Sequence, residues 1–158
     1  MKLSAYKVDP EKLDSGIWWN FHTETTCDGN TPHASDPCFL VIPNISGRYV
    51  VALAEEQLPW IEQLRAAPPE DPAEREEHLS EIRTLTRRTR AEALARTTLK
   101  GWANLEDDDG KPLVWSPEAG RLMLSDRACL VYLDFVERAA TNRDAAIARE
   151  EAKAAGNS

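Results

Sequence analysis

Between Arg87 and Trp115 the chain reads RRTRAEALARTTLKGWANLEDDDGKPLVW, and few folds accommodate such a run. A basic, alanine-rich helix pattern meets Gly101, which is placed to cap it because glycine enters the left-handed conformation without a Cβ penalty. The Asp109-Gly110 pair then calls for a tight turn between two tryptophans, Trp102 and Trp115. Ser116-Pro117-Glu118 restarts a helix: a capping hydroxyl, a proline where no amide hydrogen is needed, and an acid in the first turn. The pattern predicts a helix ending near Lys100, a Trp-flanked hairpin at 102–115, and a short helix over 117–124. It specifies a shape and a contact surface rather than a reaction centre.

The charge upstream of this stretch is polarised. Residues 70–82 carry six acids (Glu70, Asp71, Glu74, Glu76, Glu77, Glu81) against Arg75, whereas 83–101 carry Arg83, Arg87, Arg88, Arg90, Arg96 and Lys100 against Glu92. That order suits one helix, with acids at the positive end of its dipole and bases at the negative end. The AAPPEDP segment at 66–72 breaks the chain before it, with Pro72 at the first helical position. Leu79, Ile82, Leu85, Leu94 and Leu99 supply a sparse apolar stripe. An earlier helix is expected at about 47–66, carrying Tyr49, Leu53, Trp60, Ile61 and Leu64 on one face and broken by Pro59 near Leu58.

Before residue 44 the composition changes. LSAYKV, GIWWNFH and CFLVIP are aromatic or β-branched and separated by turn formers, so they read as strands, with a polar loop from Thr23 to Pro37. At the other end Ser125-Asp126 caps a helix whose Cys129, Leu130, Val131, Tyr132, Leu133, Phe135 and Val136 are apolar almost all round, the mark of a buried helix or an interface. The expected class is α+β and mostly α-helical. A small N-terminal β-rich unit (about 1–43) precedes four to five helices, with the Trp-flanked hairpin at 102–115. In units, 1–66 would hold the strands and first helix, 67–145 a helical core, and 146–158 a polar tail that frays.

Function classes narrow by exclusion. A formal charge of −8 opposes general binding to nucleic acid or anionic membranes. No apolar run approaches the roughly 20 residues that span a bilayer, and MKLSAYKVDPEK lacks the apolar core of a signal peptide. The three cysteines (Cys27, Cys38, Cys129) form no CxxC pair and no even disulfide set, which suits a reducing cytoplasm. His22, Cys27, His33 and Cys38 are metal-competent, but their spacing follows no compact zinc pattern, so no metal is assigned. LEDDDGKPLVWS offers a calcium loop only Asp107, Asp109 and Gly110, with Leu105 and Ser116 where oxygen-rich ligands are needed, so the turn reads as a solvated one. No nucleophile elbow, phosphate loop or HExxH motif is present, and His78 sits in an acidic helical run, so neither an enzyme nor a cofactor is expected. The candidates that remain are for partner binding: Arg87, Arg88 and Arg90 of the RRTR cluster; Trp102 and Trp115; and Leu130, Tyr132, Phe135 and Val136 of the last helix.

Taken in order, RAEALARTTLKGWANL, DGKPLVWS, PEAGRLMLSD and LVYLDFVERAATN, preceded by CFLVIPNISGRYVVAL, resemble the tail-assembly chaperones of long-tailed bacteriophages over roughly residues 38–145. The resemblance implies a helical factor of the host cytoplasm that coats the tape-measure protein, keeps it soluble and helps recruit tail-tube subunits. A homo-oligomer is expected, with no nucleic-acid or membrane partner. The alternative is a structural virion component, tail-associated or at the head–tail joint. On the chaperone reading, Trp102 and Trp115 brace the hairpin, while Tyr132, Phe135 and Val136 form a groove or oligomer seam.

Overall fold

The computed structural model describes residues 14–44 and 47–142. Four antiparallel strands form a sheet in the order β2-β1-β3-β4: β1 (Ile17–Asn20), β2 (Thr25–Thr26), β3 (Cys38–Val41) and β4 (Leu99–Ala103). Around it run α1 (Arg48–Gln57), α2 (Ile61–Arg65), α3 (Pro72–Thr97), α4 (Pro117–Ser125) and α5 (Leu130–Thr141). The class is α+β and mostly helical. The strand expected from LSAYKV and the tail at 146–158 lie outside the described residues.

Two of the four strands fall within the aromatic and β-branched runs expected to form them. In β1, Ile17 and Trp19 are buried while Trp18 is half-exposed, the period of two that a one-sided sheet imposes. β2 lies inside the expected polar loop, a two-residue extension paired with Trp19 and Asn20. The fourth strand corrects the expected helix end. α3 stops at Thr97, and Leu99–Ala103 pairs with β3, matching Phe39 with Trp102 and Leu40 with Gly101. Gly101 is therefore a strand residue, not a helix cap. A Cβ there would lie 3.4 Å from Leu40 Cβ and 3.6 Å from the Trp18 ring, so glycine admits a close packing of neighbours. Burial explains the outcome: as a strand, Leu99 and Trp102 reach the core with 1% and 8% of their surface exposed.

The helix boundaries follow their local chemistry. Asp71 caps α3, its Oδ2 accepting from the Glu74 amide at 3.0 Å, with Pro72 at the first position. Pro59 sits in a 3-10 turn, Leu58–Trp60, that separates α1 from α2. Ser116 Oγ accepts from the Ala119 amide at 3.0 Å and starts α4. Asp126 Oδ1 accepts from the Ala128 amide at 2.9 Å and opens the 3-10 turn Arg127–Cys129 that leads into α5.

One apolar cluster joins these elements, from Ile17 in β1 through Tyr49 in α1 and Leu94 in α3 to Ala140 in α5. The core is thus continuous across residue 66, because β4, from the second half of the chain, completes the sheet begun by the first. α5 covers that sheet. Phe21, Phe39, Tyr132 and Phe135 stack with ring centroids 5.0–6.1 Å apart, at tilted or edge-on angles that suit aromatic quadrupoles. Phe135 is 2% exposed and Val136 0%. They belong to the interior of the chain, and the expected groove of Tyr132, Phe135 and Val136 is not an open surface. The outward apolar residues of α5 are Leu130 and Val131, at 41% and 55% exposure.

Candidate partner-binding site

The loop between β4 and α4 is held rigidly. Trp102 and Trp115 meet edge to face, their centroids 4.9 Å apart, and Trp102 Nε1 donates to the Leu113 carbonyl at 2.8 Å. Gly120 of α4 lies against the Trp115 ring so closely that a Cβ would come within 2.5 Å of it. The Leu113 amide donates to the Leu105 carbonyl at 2.8 Å, and Glu106 bridges Pro112 as in a short hairpin. At the tip, Asp107 Oδ1 accepts from the Asp109 and Lys111 amides, both at 2.9 Å, while Gly110 takes a positive φ of 76°. The Asp107 carboxylate is thus turned toward its own backbone, the Asx-turn chemistry of a solvated loop. Trp102 is buried and Trp115 half-buried, so this pair supports a surface from beneath; Val114, 83% exposed, and Leu113, 43%, crown it.

The His/Cys loop is organised by asparagines. Asn20 Oδ1 accepts from the His22 and Thr23 amides, and its Nδ2 donates to Asp36 Oδ2 at 3.0 Å. Asn104, at φ 62°, donates to the His33 and Asp36 carbonyls and ties the loop to the end of β4. Cys27 and Cys38 face each other with Sγ atoms 3.7 Å apart, and Cys38 Sγ also accepts from the His33 amide at 3.3 Å. Burial, with Cys38 beside it, pushes the Cys27 thiol up to about 11. Among the described residues no three His, Cys, Asp or Glu side chains are grouped to hold a metal ion. His22 and His33 instead flank the Asp36 carboxylate at 3.5 and 3.6 Å, and Asp36 is held below its ordinary value first by the Asn20 hydrogen bond.

Helical geometry disperses the RRTR cluster, because each successive residue turns by about 100°. Arg88 points to the 3-10 turn before α2 and lies over the Trp60 ring, 5.6 Å from its centroid. Arg90 points to α5, with Nη2 2.8 Å from Asp134 Oδ1 and 2.9 Å from Glu137 Oε1, and Nε 3.1 Å from Glu137 Oε2. Burial opposes the Arg90 charge, but the hydrogen bonds it gives to Glu137 and Asp134 prevail and hold it above its ordinary value. Tyr49 of α1 also donates a short hydrogen bond to Glu137, so one carboxylate joins three helices. Burial, and then that bond, raise the tyrosine above its usual range.

Arg87 takes a third direction. With Arg83, Arg90, Arg127, Ile82 and Leu130 it lines an open cleft of about 500 Å³ between α3 and the start of α5. Its Nε is buried and has no hydrogen-bond partner among the described residues. Of the expected site residues, then, the structure brings Arg87, Arg90 and Leu130 together. It places exposed Arg88 over the half-buried Trp60 ring, assigns Trp102 to internal packing and Phe135 and Val136 to the core, and leaves Tyr132 half-buried in the aromatic stack. Arg127 and Arg83 complete the cleft. Local sequence does not single out Arg127, which reaches Arg87 only because α5 folds back on α3.

This is a small α+β protein in which an arginine-lined cleft lies between α3 and the start of α5 and a tryptophan-braced loop joins β4 to α4. The chain belongs to the YdaY prophage protein family, whose model matches residues 52–157, about two thirds of its length. It is therefore phage-derived, and the match takes in all of α3, the tryptophan loop and the cleft, beginning only after the first three strands. No curated protein and no solved structure matches the chain. Among the described residues no helix is long and apolar enough to cross a membrane.

Proposed function

We propose that this prophage protein is a non-catalytic tail-assembly chaperone, which binds the helical tape-measure protein in the host cytoplasm and helps tail-tube subunits polymerise around it. The reading rests on the likeness of residues 38–145 to the tail chaperones. The observation that supports it is the exposed apolar and arginine-lined surface between α3 and the start of α5. The prophage family match bears on phage origin alone. The surfaces that residues 38–145 expose fit the job: the projecting first half of α3, the cleft lined by Leu130, and exposed Val131 next to it in sequence. A factor that holds a long amphipathic helix needs such apolar and charged contacts on a rigid frame. Leu130 and Val131, not the buried Phe135, are the apolar contacts in this reading, and self-association would extend the surface.

Co-expression with the large helical protein encoded downstream tests it. Soluble co-purification of the two is the expected result, with Val131→Asp reducing recovery of the complex and leaving the melting temperature unchanged. The competing reading is a structural virion component. A chaperone departs after assembly, so finding this chain at stoichiometric levels in purified particles would favour that alternative.

A further inference from the structure

We propose that the cleft between α3 and the start of α5 is a carboxylate-binding site, which receives an acidic side chain on an amphipathic segment of a protein partner. The inference rests on the reading of the chain as a protein-binding assembly factor and names the chemistry of the recognised segment. Four arginines from two elements line it, Arg83, Arg87 and Arg90 from α3 and Arg127 from the turn before α5. Their charges are not equally met. Arg90 is neutralised by Asp134 and Glu137, and Arg83 has only a long 3.9 Å approach to Glu76, with both side chains more than 70% exposed. Arg87 and Arg127 make no ion pair within the described residues, and the Arg87 Nε is buried without an acceptor. A buried donor left unpaired is costly, which marks the Arg87 guanidinium as incompletely satisfied, and an oxyanion placed in the cleft can take charge-assisted bonds from the arginines that line it.

The surroundings select the class of ligand. Ile82 and Leu130 give the cleft an apolar side, and Val131 adjoins it in sequence at 55% exposure, so the complement is an acid flanked by apolar groups. A nucleic-acid backbone would have to run past Glu76, Glu77 and Glu81 on a chain of net charge −8, which repels a continuous polyanion but tolerates one inserted carboxylate.

Arginine Nε–Hε signals of the full chain report on the site directly during titration with citrate, and in parallel with a 12-nucleotide single-stranded DNA. The expected result is a saturable shift of the Arg87 signal with citrate, weakened tenfold or more by either Arg87→Gln or Arg127→Gln, and less than twofold by Arg65→Gln. Arg127 is exposed, so its variant removes charge while leaving the core untouched. The proposal is overturned if Arg87 does not shift, if Arg127→Gln binds citrate as tightly as the parent, or if DNA binds at the cleft more tightly than citrate. Tighter citrate binding by a Glu150→Gln, Glu151→Gln double variant would also overturn it, by making the chain's own C-terminal segment the occupant. Because citrate needs no phage partner, failure here is separable from failure of the co-purification that tests the chaperone reading.

Discussion

The first half of α3 and its second half share one backbone ladder but not one environment. From residue 72 to 84 every side chain is exposed except for His78 and Ile82, which are half-buried. From Arg87 onward the helix buries Thr89, Ala91, Ala93 and Leu94. There it is held by Arg90 to α5, by Arg96 to Glu55 and Glu56 of α1, and by Glu92 to Arg121 of α4. A 26-residue helix is about 39 Å long, so its first half projects well beyond the contacts that fix its second. A segment with no buried apolar face contributes little to stability, and acids near its N-terminus with a capped first turn are what keep it helical. The contrast separates a frame from a reach, and the arginine cleft lies at their junction.

Core truncation gives the sharpest test of that contrast. Leu94→Ala, at a fully buried site, should cost about 2–5 kcal/mol in urea unfolding, whereas Leu79→Ala on the projecting half should stay within about 0.5 kcal/mol. Equal costs would erase the distinction. Phe135→Asp belongs with the first group: it should unfold the chain, which distinguishes a core residue from a seam residue. Next in size is the helix clamp. Arg90→Ala leaves Asp134 and Glu137 without their shared arginine and should cost about 1–3 kcal/mol, while Arg83→Ala should leave stability unchanged. Gly120→Ala should displace Trp115 and cost about 1–3 kcal/mol through overpacking, seen as a change in tryptophan fluorescence; an unaltered spectrum would mean that the ring yields freely.

The smallest effect concerns the thiols. With its pKa raised to about 11, Cys27 is protonated at pH 8 and should alkylate slowly, accelerating as pH rises toward 11. Half-buried Cys129, also raised by burial and by Asp126, should react before the buried pair in the native protein because access favours it. Faster labelling of Cys27 than of Cys129 at pH 8 would contradict the packing of the β2–β3 loop.

Local signals carried much of this architecture. Asp71-Pro72, Ser116-Pro117 and Pro59 each act through nearest-neighbour chemistry, and the helix limits they imply agree with the structure to within a few residues. What local signals missed was decided at long range. Leu99–Ala103 follows a helix and contains a glycine, so nothing nearby marks it as a strand; it is one because Phe39 and Val41, some 60 residues earlier in the chain, offer it a buried edge. Arg87, Arg88 and Arg90 look like one patch in the sequence, but in space Arg88 turns to Trp60 while Arg87 and Arg90 line the cleft, Arg90 clamped to α5. Arg127 shows the converse, a site residue distant in sequence from the residues it joins. The apolar character of the last helix was legible, but whether it faced the core or a partner depended on the sheet it covers.

Hydrogen exchange on the free chain, and on the chain co-expressed with the tape-measure protein proposed as its partner, tests the division of α3, and its use, most directly. Free, the amides of residues 87–97 should be strongly protected and those of 74–84 should exchange fast, reflecting local opening. In the complex, protection should rise at 74–87 and at 127–131, with little change in the tryptophan loop. Uniform protection of α3 in the free chain, or protection gained only elsewhere on complex formation, would contradict the account.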